Sequence, residues 1–149
     1  MRHGSKTVVH RVLVSGALTL VAGLFAPAQA YEPSMNYKLQ CMGCHTPDGA
    51  GVPGRVPSIR TTLLPFARMP EGRRFLVQVP GSAQSTLNNA ELAELLNWMI
   101  QNLSTAPGKS DYKRFTEEEV AGYRPHALVE VRATRERLLA AQSSTGKGS

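Results

Sequence analysis

The strongest periodic pattern of apolar residues in the chain lies between residues 88 and 103. An apolar residue recurs there every three or four positions: Leu92, Leu95, Leu96, Met99 and Leu103. This spacing places all of them on one face of an α-helix. Asn88 and Glu91 stand three residues apart, as in an N-terminal capping box, and Leu87 can pack against Leu92. The pattern therefore predicts an amphipathic helix over 88–103.

Weaker signals predict further helices on both sides of this one. Ser34 is a candidate N-cap for a helix that runs towards Cys44. After a linker at 104–114, Thr116 and Glu119 form a second capping box, and a last helix extends to about Gln142. Strand-like alternation is rare, and the glycines and prolines of 46–57 favour a loop. The expected fold is all-α, with a helical C-terminal extension.

The first thirty residues have the composition of a secretory signal peptide. Basic residues without an acidic one precede an apolar run of 15 residues, 12–26, and the segment ends in Ala28-Gln29-Ala30. An uncleaved anchor is the alternative, but a membrane-spanning helix needs about 20 apolar residues. We predict a signal peptide at 1–30, a main domain at 31–103, a linker and helical extension at 104–142, and a disordered tail at 143–149. No stable membrane span is expected.

The charge of the chain does not indicate a nucleic-acid partner. The formal net charge is +6, but three basic residues belong to the first thirty. Residues 31–149 then hold 14 Lys and Arg against 11 Asp and Glu, and they show no base-reading motif.

The candidate chemistry lies in the stretch from Cys41 to His45, which contains both cysteines of the chain. Its pattern is C-x-x-C-H, the attachment motif of c-type haem. Two thiols three positions apart can add to the two vinyl groups of one haem. The histidine that follows can then bind the iron through a neutral imidazole. The motif predicts one covalently bound haem c, held by Cys41 and Cys44, with His45 as the proximal iron ligand.

Three other interpretations of the two cysteines fit the sequence less well. A thioredoxin-like redox pair normally opens a helix after a strand, and no strand pattern precedes Cys41. A zinc site needs two further ligands, and His126 is the only other histidine after residue 30. A plain disulfide would leave His45 unexplained.

Over residues 31–103 the chain resembles the class I cytochrome c family. The resemblance rests on the Cys-Met-Gly-Cys-His motif, on the glycine-rich loop from Thr46 that ends at Pro57, and on the helix 87–100 with Trp98. It implies a small haem domain in which Trp98 packs where the first and last helices cross. It also implies that the carbonyl of Pro57 accepts a hydrogen bond from His45, a role for which Pro53 is the competitor.

The resemblance further implies a function. Such a protein is an electron carrier rather than an enzyme. It transfers single electrons in the periplasm between a dehydrogenase and a downstream acceptor. It can also be the cytochrome subunit of such a dehydrogenase. Its partners are other redox proteins.

The sequence departs from the family pattern in the region that supplies the sixth iron ligand. Where the family places Met-Pro ahead of the last helix, this chain has Val79-Pro80. Met69-Pro70 is the remaining pair of this kind, and Met69 is the candidate distal ligand. An open sixth site and ligation by His126 are the alternatives, and an open site would suit a peroxidase-like enzyme or a gas sensor. Met99 is interpreted as a packing residue.

Five arginines lie close together in the sequence at 55–74, with Glu71 as the only acidic residue among them. They are Arg55, Arg60, Arg68, Arg73 and Arg74. They form either a solvated surface or a docking patch for an acidic redox partner.

Overall fold

The fold was analysed in a computed structural model, which describes residues 31–145. Every regular element in this range is a helix, and extended pairing is limited to one isolated antiparallel bridge between Val52 and Val56. The helices are α1 (Pro33–Gln40), α2 (Met42–His45), α3 (Leu63–Ala67), α4 (Pro70–Gln78), α5 (Pro80–Ala83), α6 (Asn89–Leu103), α7 (Glu117–Tyr123) and α8 (Val131–Thr145). The expected all-α fold with a helical C-terminal extension is confirmed.

Helix α6 is the central element, and it begins as the sequence predicts. The Asn88 side chain accepts a hydrogen bond from the Glu91 N–H, and the Glu91 carboxylate accepts one from the Asn88 N–H. These two bonds satisfy donors that a helix start leaves free. Its apolar face is buried, and α6 crosses α1, where the rings of Tyr37 and Trp98 lie 5.6 Å apart. The expected packing of Trp98 is confirmed.

Helices α1 and α2 form an almost continuous rod that carries the cysteine motif. The N-cap of α1 is Glu32, with Pro33 in the first turn, so the prediction of Ser34 as N-cap is wrong. Proline suits this position because its missing N–H would be unpaired there anyway. The rod is interrupted at Cys41, whose N–H still bonds to the carbonyl of Tyr37.

A glycine-rich loop follows α2, as expected, and folds back on it. The N–H of Gly51 bonds to the carbonyl of His45 at 3.1 Å. The carboxylate of Asp48 accepts hydrogen bonds from Thr46, Ala50 and Arg60. The bonds from Ala50 and Thr46, and to a lesser degree the charge of Arg60, lower the pKa of Asp48. The loop therefore has a defined path immediately after the motif.

The C-terminal extension packs on the main domain through two buried polar side chains. Asn97 of α6 donates to the carbonyl of Phe115 and accepts from its N–H, at 3.0 and 2.9 Å. Arg73 of α4 forms a two-pronged ion pair with Glu119 of α7, both distances being 2.6 Å. Glu119 is thus bonded to Arg73, and only the Thr116 half of the second capping box forms.

Arg124, just after α7, fixes the segment between α5 and α6. Its guanidinium donates to the carbonyls of Ala83, Ser85 and Leu87. It also donates to the side chains of Ser85 and Asn89. Two further bonds join α4 to the extension: the Leu128 N–H donates to the Gln78 carbonyl, and the Gln78 side chain donates to the Tyr123 carbonyl. The extension is therefore an integral part of the domain.

Only part of the five-arginine cluster lies on the surface: Arg55, Arg68 and Arg74 are exposed, and Arg73 is not. Arg73 is buried in its ion pair, and Arg68 donates to backbone carbonyls of the extension at Pro107, Gly108 and Asp111. Arg60 pairs with Asp48. Neither a solvated surface nor a docking patch describes Arg73. An arginine that has backbone carbonyls and a carboxylate within reach exchanges water for these partners.

Two of the predicted segments lie wholly or partly outside the described residues. The signal peptide, 1–30, lies outside the described residues. Helix α8 continues to Thr145, three residues beyond the predicted end, and residues 146–149 of the predicted disordered tail also lie outside. Across 31–145, no helix combines the length and apolar character that crossing a membrane requires.

Candidate cofactor site

The motif residues line a cavity of about 310 Å³ between the rod and the rest of the domain. Cys41, Cys44 and His45 border it on one side, and Pro57 of the loop borders it as well. Its walls come from α3, α4 and α6, through the side chains of Leu63, Phe66, Phe75, Leu76, Leu92, Leu95, Leu96 and Met99. The structure thus brings together four of the five site residues that the sequence singles out, at the edge of an apolar slot.

The two cysteines are free thiols one helical turn apart. Cys41 is partly buried, whereas Cys44 is exposed. Burial, and to a lesser degree the neighbouring Cys44, raises the pKa of Cys41 to about 11. A C-x-x-C pair that works as a disulfide oxidoreductase has a lowered thiol pKa instead. The environment of Cys41 is unlike that of a redox thiol.

The imidazole of His45 lacks part of its hydrogen bonding. Its Nδ1 is buried and has no hydrogen-bond partner of normal geometry among the described residues. Burial lowers the pKa of His45, and the carbonyl of Pro57 partly opposes this effect. A partly buried neutral imidazole with an unpaired nitrogen is suited to binding a metal ion through one nitrogen and a carbonyl through the other.

The position of Pro57 beside the cavity depends on Gly51. This glycine has a φ of 72°, a left-handed conformation that side chains rarely adopt. A Cβ atom at this position would also collide with the carbonyl oxygens of Val56 and Pro57. Glycine at 51 therefore allows the loop to bring Pro57 to the cavity, which Pro53 does not line.

Met69 and His126, the candidates for the sixth iron ligand, do not line the cavity. Met69 is the N-cap of α4; it is partly buried and packs against the core, but it is not among the residues that line the cavity. His126 is exposed beyond α7 and does not line the cavity either. Met99, interpreted as a packing residue, does line it. Met69 as an iron ligand stays a prediction.

The described residues do not assemble a zinc site. Between 31 and 145, no group of three or more His, Cys, Asp or Glu side chains is placed to hold a metal ion, whereas structural zinc takes four ligands. The arrangement that is present combines two thiols, one imidazole and a mostly apolar slot. It can fix a flat apolar cofactor by two covalent bonds and bind its metal by one nitrogen.

Sequence reasoning missed the part of the cavity wall that later segments contribute. Ser82 and Ser85 reach it from α5 and the loop that follows, and Val131 and Arg135 reach it from α8. Val131 and Arg135 are four residues apart and so share a helix face. That spacing gives no indication of which surface the face contacts, and no other signal in the sequence does.

Comparisons with known proteins point to one group of relatives. A protein named cytochrome c-552 from Thermus thermophilus is 27% identical over 139 residues, which span 81% of this chain and 92% of the relative. A second cytochrome c-552 from Thermus thermophilus is 28% identical over 116 residues, covering 66% of this chain and 88% of the relative. No family model and no solved structure matches the chain. The all-α fold agrees with that of a cytochrome c.

Proposed function

We propose that the chain is a single-haem class I c-type cytochrome that transfers one electron at a time. Cys41 and Cys44 bind the haem covalently, and His45 is its proximal iron ligand. The observation that carries the proposal is the meeting of all three residues at one mostly apolar cavity, with Pro57 beside them. The similarity to proteins named cytochrome c-552 supports it.

The residues of the cavity fit a haem. The unpaired Nδ1 of His45 and the nearby carbonyl of Pro57 can form the bond that fixes the imidazole tautomer, which leaves Nε2 for iron. The apolar side chains of α3, α4 and α6 would exclude water from a flat ring bound in the cavity. When bound, the haem supplies the ferric–ferrous couple. The protein supplies attachment, ligation and a low-polarity surrounding.

A haem attached through Cys41 and Cys44 would exchange electrons at the cysteine edge of the cavity. Because Cys44 is exposed, a group attached to its sulfur lies at the surface, where a partner protein can approach. The partners are redox proteins: a periplasmic dehydrogenase as donor and a downstream acceptor. The chain is a carrier, or the cytochrome subunit of such a dehydrogenase, and residues 1–30 direct it to the periplasm.

A second candidate function follows from the position of Met69. An iron whose sixth site is open binds small ligands, as in a peroxidase-like enzyme or a gas sensor. Met69 lies outside the cavity lining, which favours an open site unless Met99, which does line the cavity, binds the iron. Both candidates contain the same covalent haem and the same His45 ligand, so they differ only on the distal side.

Replacing Met69 by alanine separates the two candidates. If Met69 binds iron, the wild type has the weak near-infrared band of a methionine–iron(III) bond and excludes carbon monoxide, and the variant loses the band and binds carbon monoxide. If the site is open, the wild type already lacks the band and binds carbon monoxide, and the variant behaves identically. The placement of Met69 leads us to expect the second result. Met99→Leu is the matched control, because Met99 does line the cavity; loss of the band in that variant alone would identify Met99 as the ligand.

A further inference from the structure

Three arginines that join the main domain to the extension have several hydrogen-bond partners each. Arg73 and Arg124 each donate five hydrogen bonds, to carboxylate, carbonyl or other side-chain oxygens. Arg68 donates three, all to backbone carbonyls. This is the ordinary condition of a guanidinium that has left bulk water, because its five N–H donors otherwise lose their partners.

Arg135 of α8 is an exception. It is partly buried and lines the cavity, yet within 31–145 its guanidinium takes part in no hydrogen bond and no ion pair. Arg132, on the same helix, is also without a partner in the described part of the chain, but it is exposed and does not line the cavity. Among the described residues, Arg132 is unpaired on the exposed side of the helix, whereas Arg135 is unpaired at the wall of the cavity.

The other described residues that line the cavity give the positive charge of Arg135 no counterpart. The described lining residues include no aspartate or glutamate; the other titratable groups among them are Cys41, Cys44 and His45. Most of the remaining lining is apolar. A cation at the wall of an apolar cavity is stabilised when a negative group enters, because little water is present to solvate it.

Ser82 offers a second polar group on the same lining. Its hydroxyl forms no hydrogen bond with any described residue, whereas the Ser85 hydroxyl is already bonded to Arg124 and to the Ser82 carbonyl. A free hydroxyl can donate to the same anion that a guanidinium attracts.

The position of Arg135 is fixed by the fold. Leu128, three residues before α8, is tied to α4 by the 2.8 Å bond to Gln78, and Leu138 in the next turn is buried in the core. Arg124 anchors the start of this segment to the loop that carries Ser85. The part of α8 that carries Arg135 is therefore held beside the cavity by contacts on both sides of it in the chain.

We infer that Arg135 is an anion-binding group that the C-terminal extension contributes to the haem cavity, whose lining also offers the free hydroxyl of Ser82. The inference rests on the proposed function, because the anion is a carboxylate of the haem itself or a small anion that enters from solution beside it. Both sources present the same chemistry, a negative oxygen pair that a guanidinium binds with two parallel hydrogen bonds. On either account, the extension tunes the haem site as well as covering it.

The test compares Arg135→Gln with the matched control Arg132→Gln, each made in the full chain with covalent haem attached. Sodium formate, a simple carboxylate, is titrated against the visible spectrum, and the reduction potential is measured from acid to neutral pH. If the anion comes from solution, formate binds the wild type and the control equally, and Arg135→Gln weakens binding by about tenfold or more. If the anion is a haem carboxylate, formate has no effect, and in Arg135→Gln alone the pH-dependent step in the potential moves to higher pH.

Arg135→Lys keeps the charge and loses the fork geometry. Its formate binding, or the pH of the step in its potential, is therefore expected to lie between the values of the wild type and of Arg135→Gln. This variant also serves if the glutamine variant does not fold. Equal behaviour of Arg135→Gln and Arg132→Gln in both measurements would overturn the inference. Failure of the proposed function is a separate outcome, because none of the proteins, the wild type included, would then contain covalent haem.

Discussion

Replacing both Cys41 and Cys44 by alanine is expected to remove all covalently bound haem from the protein. The chain contains two cysteines in total, so no other thiol can form a thioether. Each single replacement should keep one thioether. The measurement is extraction with acid acetone, which removes non-covalent haem, followed by the absorption spectrum of the remaining protein.

The control for this experiment lies inside the motif. A methyl group at Gly43 would meet no other atom within 4 Å, so Gly43→Ala should retain covalent haem at the wild-type level. This variant shows whether any change between the cysteines disturbs attachment. Haem that stays with the double alanine variant after extraction would contradict the assignment of Cys41 and Cys44.

Replacing Arg73 by leucine is expected to lower the free energy of unfolding by about 3–5 kcal/mol, the usual effect of breaking a buried ion pair. The side chains of Arg73 and Glu119 are 9% and 14% exposed. The change leaves the Glu119 carboxylate, and the carbonyls of Ala67 and Lys113, without their donor. Because the free energy of unfolding of a native protein is about 5–15 kcal/mol, this loss is a large share of the total stability. Urea denaturation followed by circular dichroism measures it.

Arg114→Leu provides the comparison, because it also removes an arginine–glutamate pair between the main domain and the extension. Arg114 and Glu94 are 57% and 59% exposed, and such pairs contribute less than about 1 kcal/mol. An equal effect of the two substitutions would mean that Arg73 does not anchor the extension as described. It would also weaken the case that α8 is held firmly at the cavity.

Local sequence features predicted the elements that local interactions determine. The capping box of Asn88 and Glu91, and the apolar face behind it, lie within one short segment, and α6 forms where expected. The cysteine motif is equally local. Short helices such as α3 and α5 were not predicted, because helices of 5 or 4 residues carry no apolar period.

Interactions between distant residues explain what the sequence did not reveal. Arg73 and Glu119 are 46 residues apart, and Asn97 and Phe115 are 18 apart. Arg73 was therefore grouped with its sequence neighbours as a surface charge, although its partners lie in the extension. The place of Arg135 at the cavity depends on the same long-range packing, so it could not be inferred from the spacing of residues in α8.

Covalent attachment of one haem can be measured from the mass of the intact wild-type protein, expressed in a host that matures c-type cytochromes. The predicted mass is that of residues 31–149 plus one haem, and the alkaline pyridine spectrum of the same sample should be that of a haem with two thioether bonds. A protein that leaves this host with the unmodified polypeptide mass and both thiols free would contradict the account.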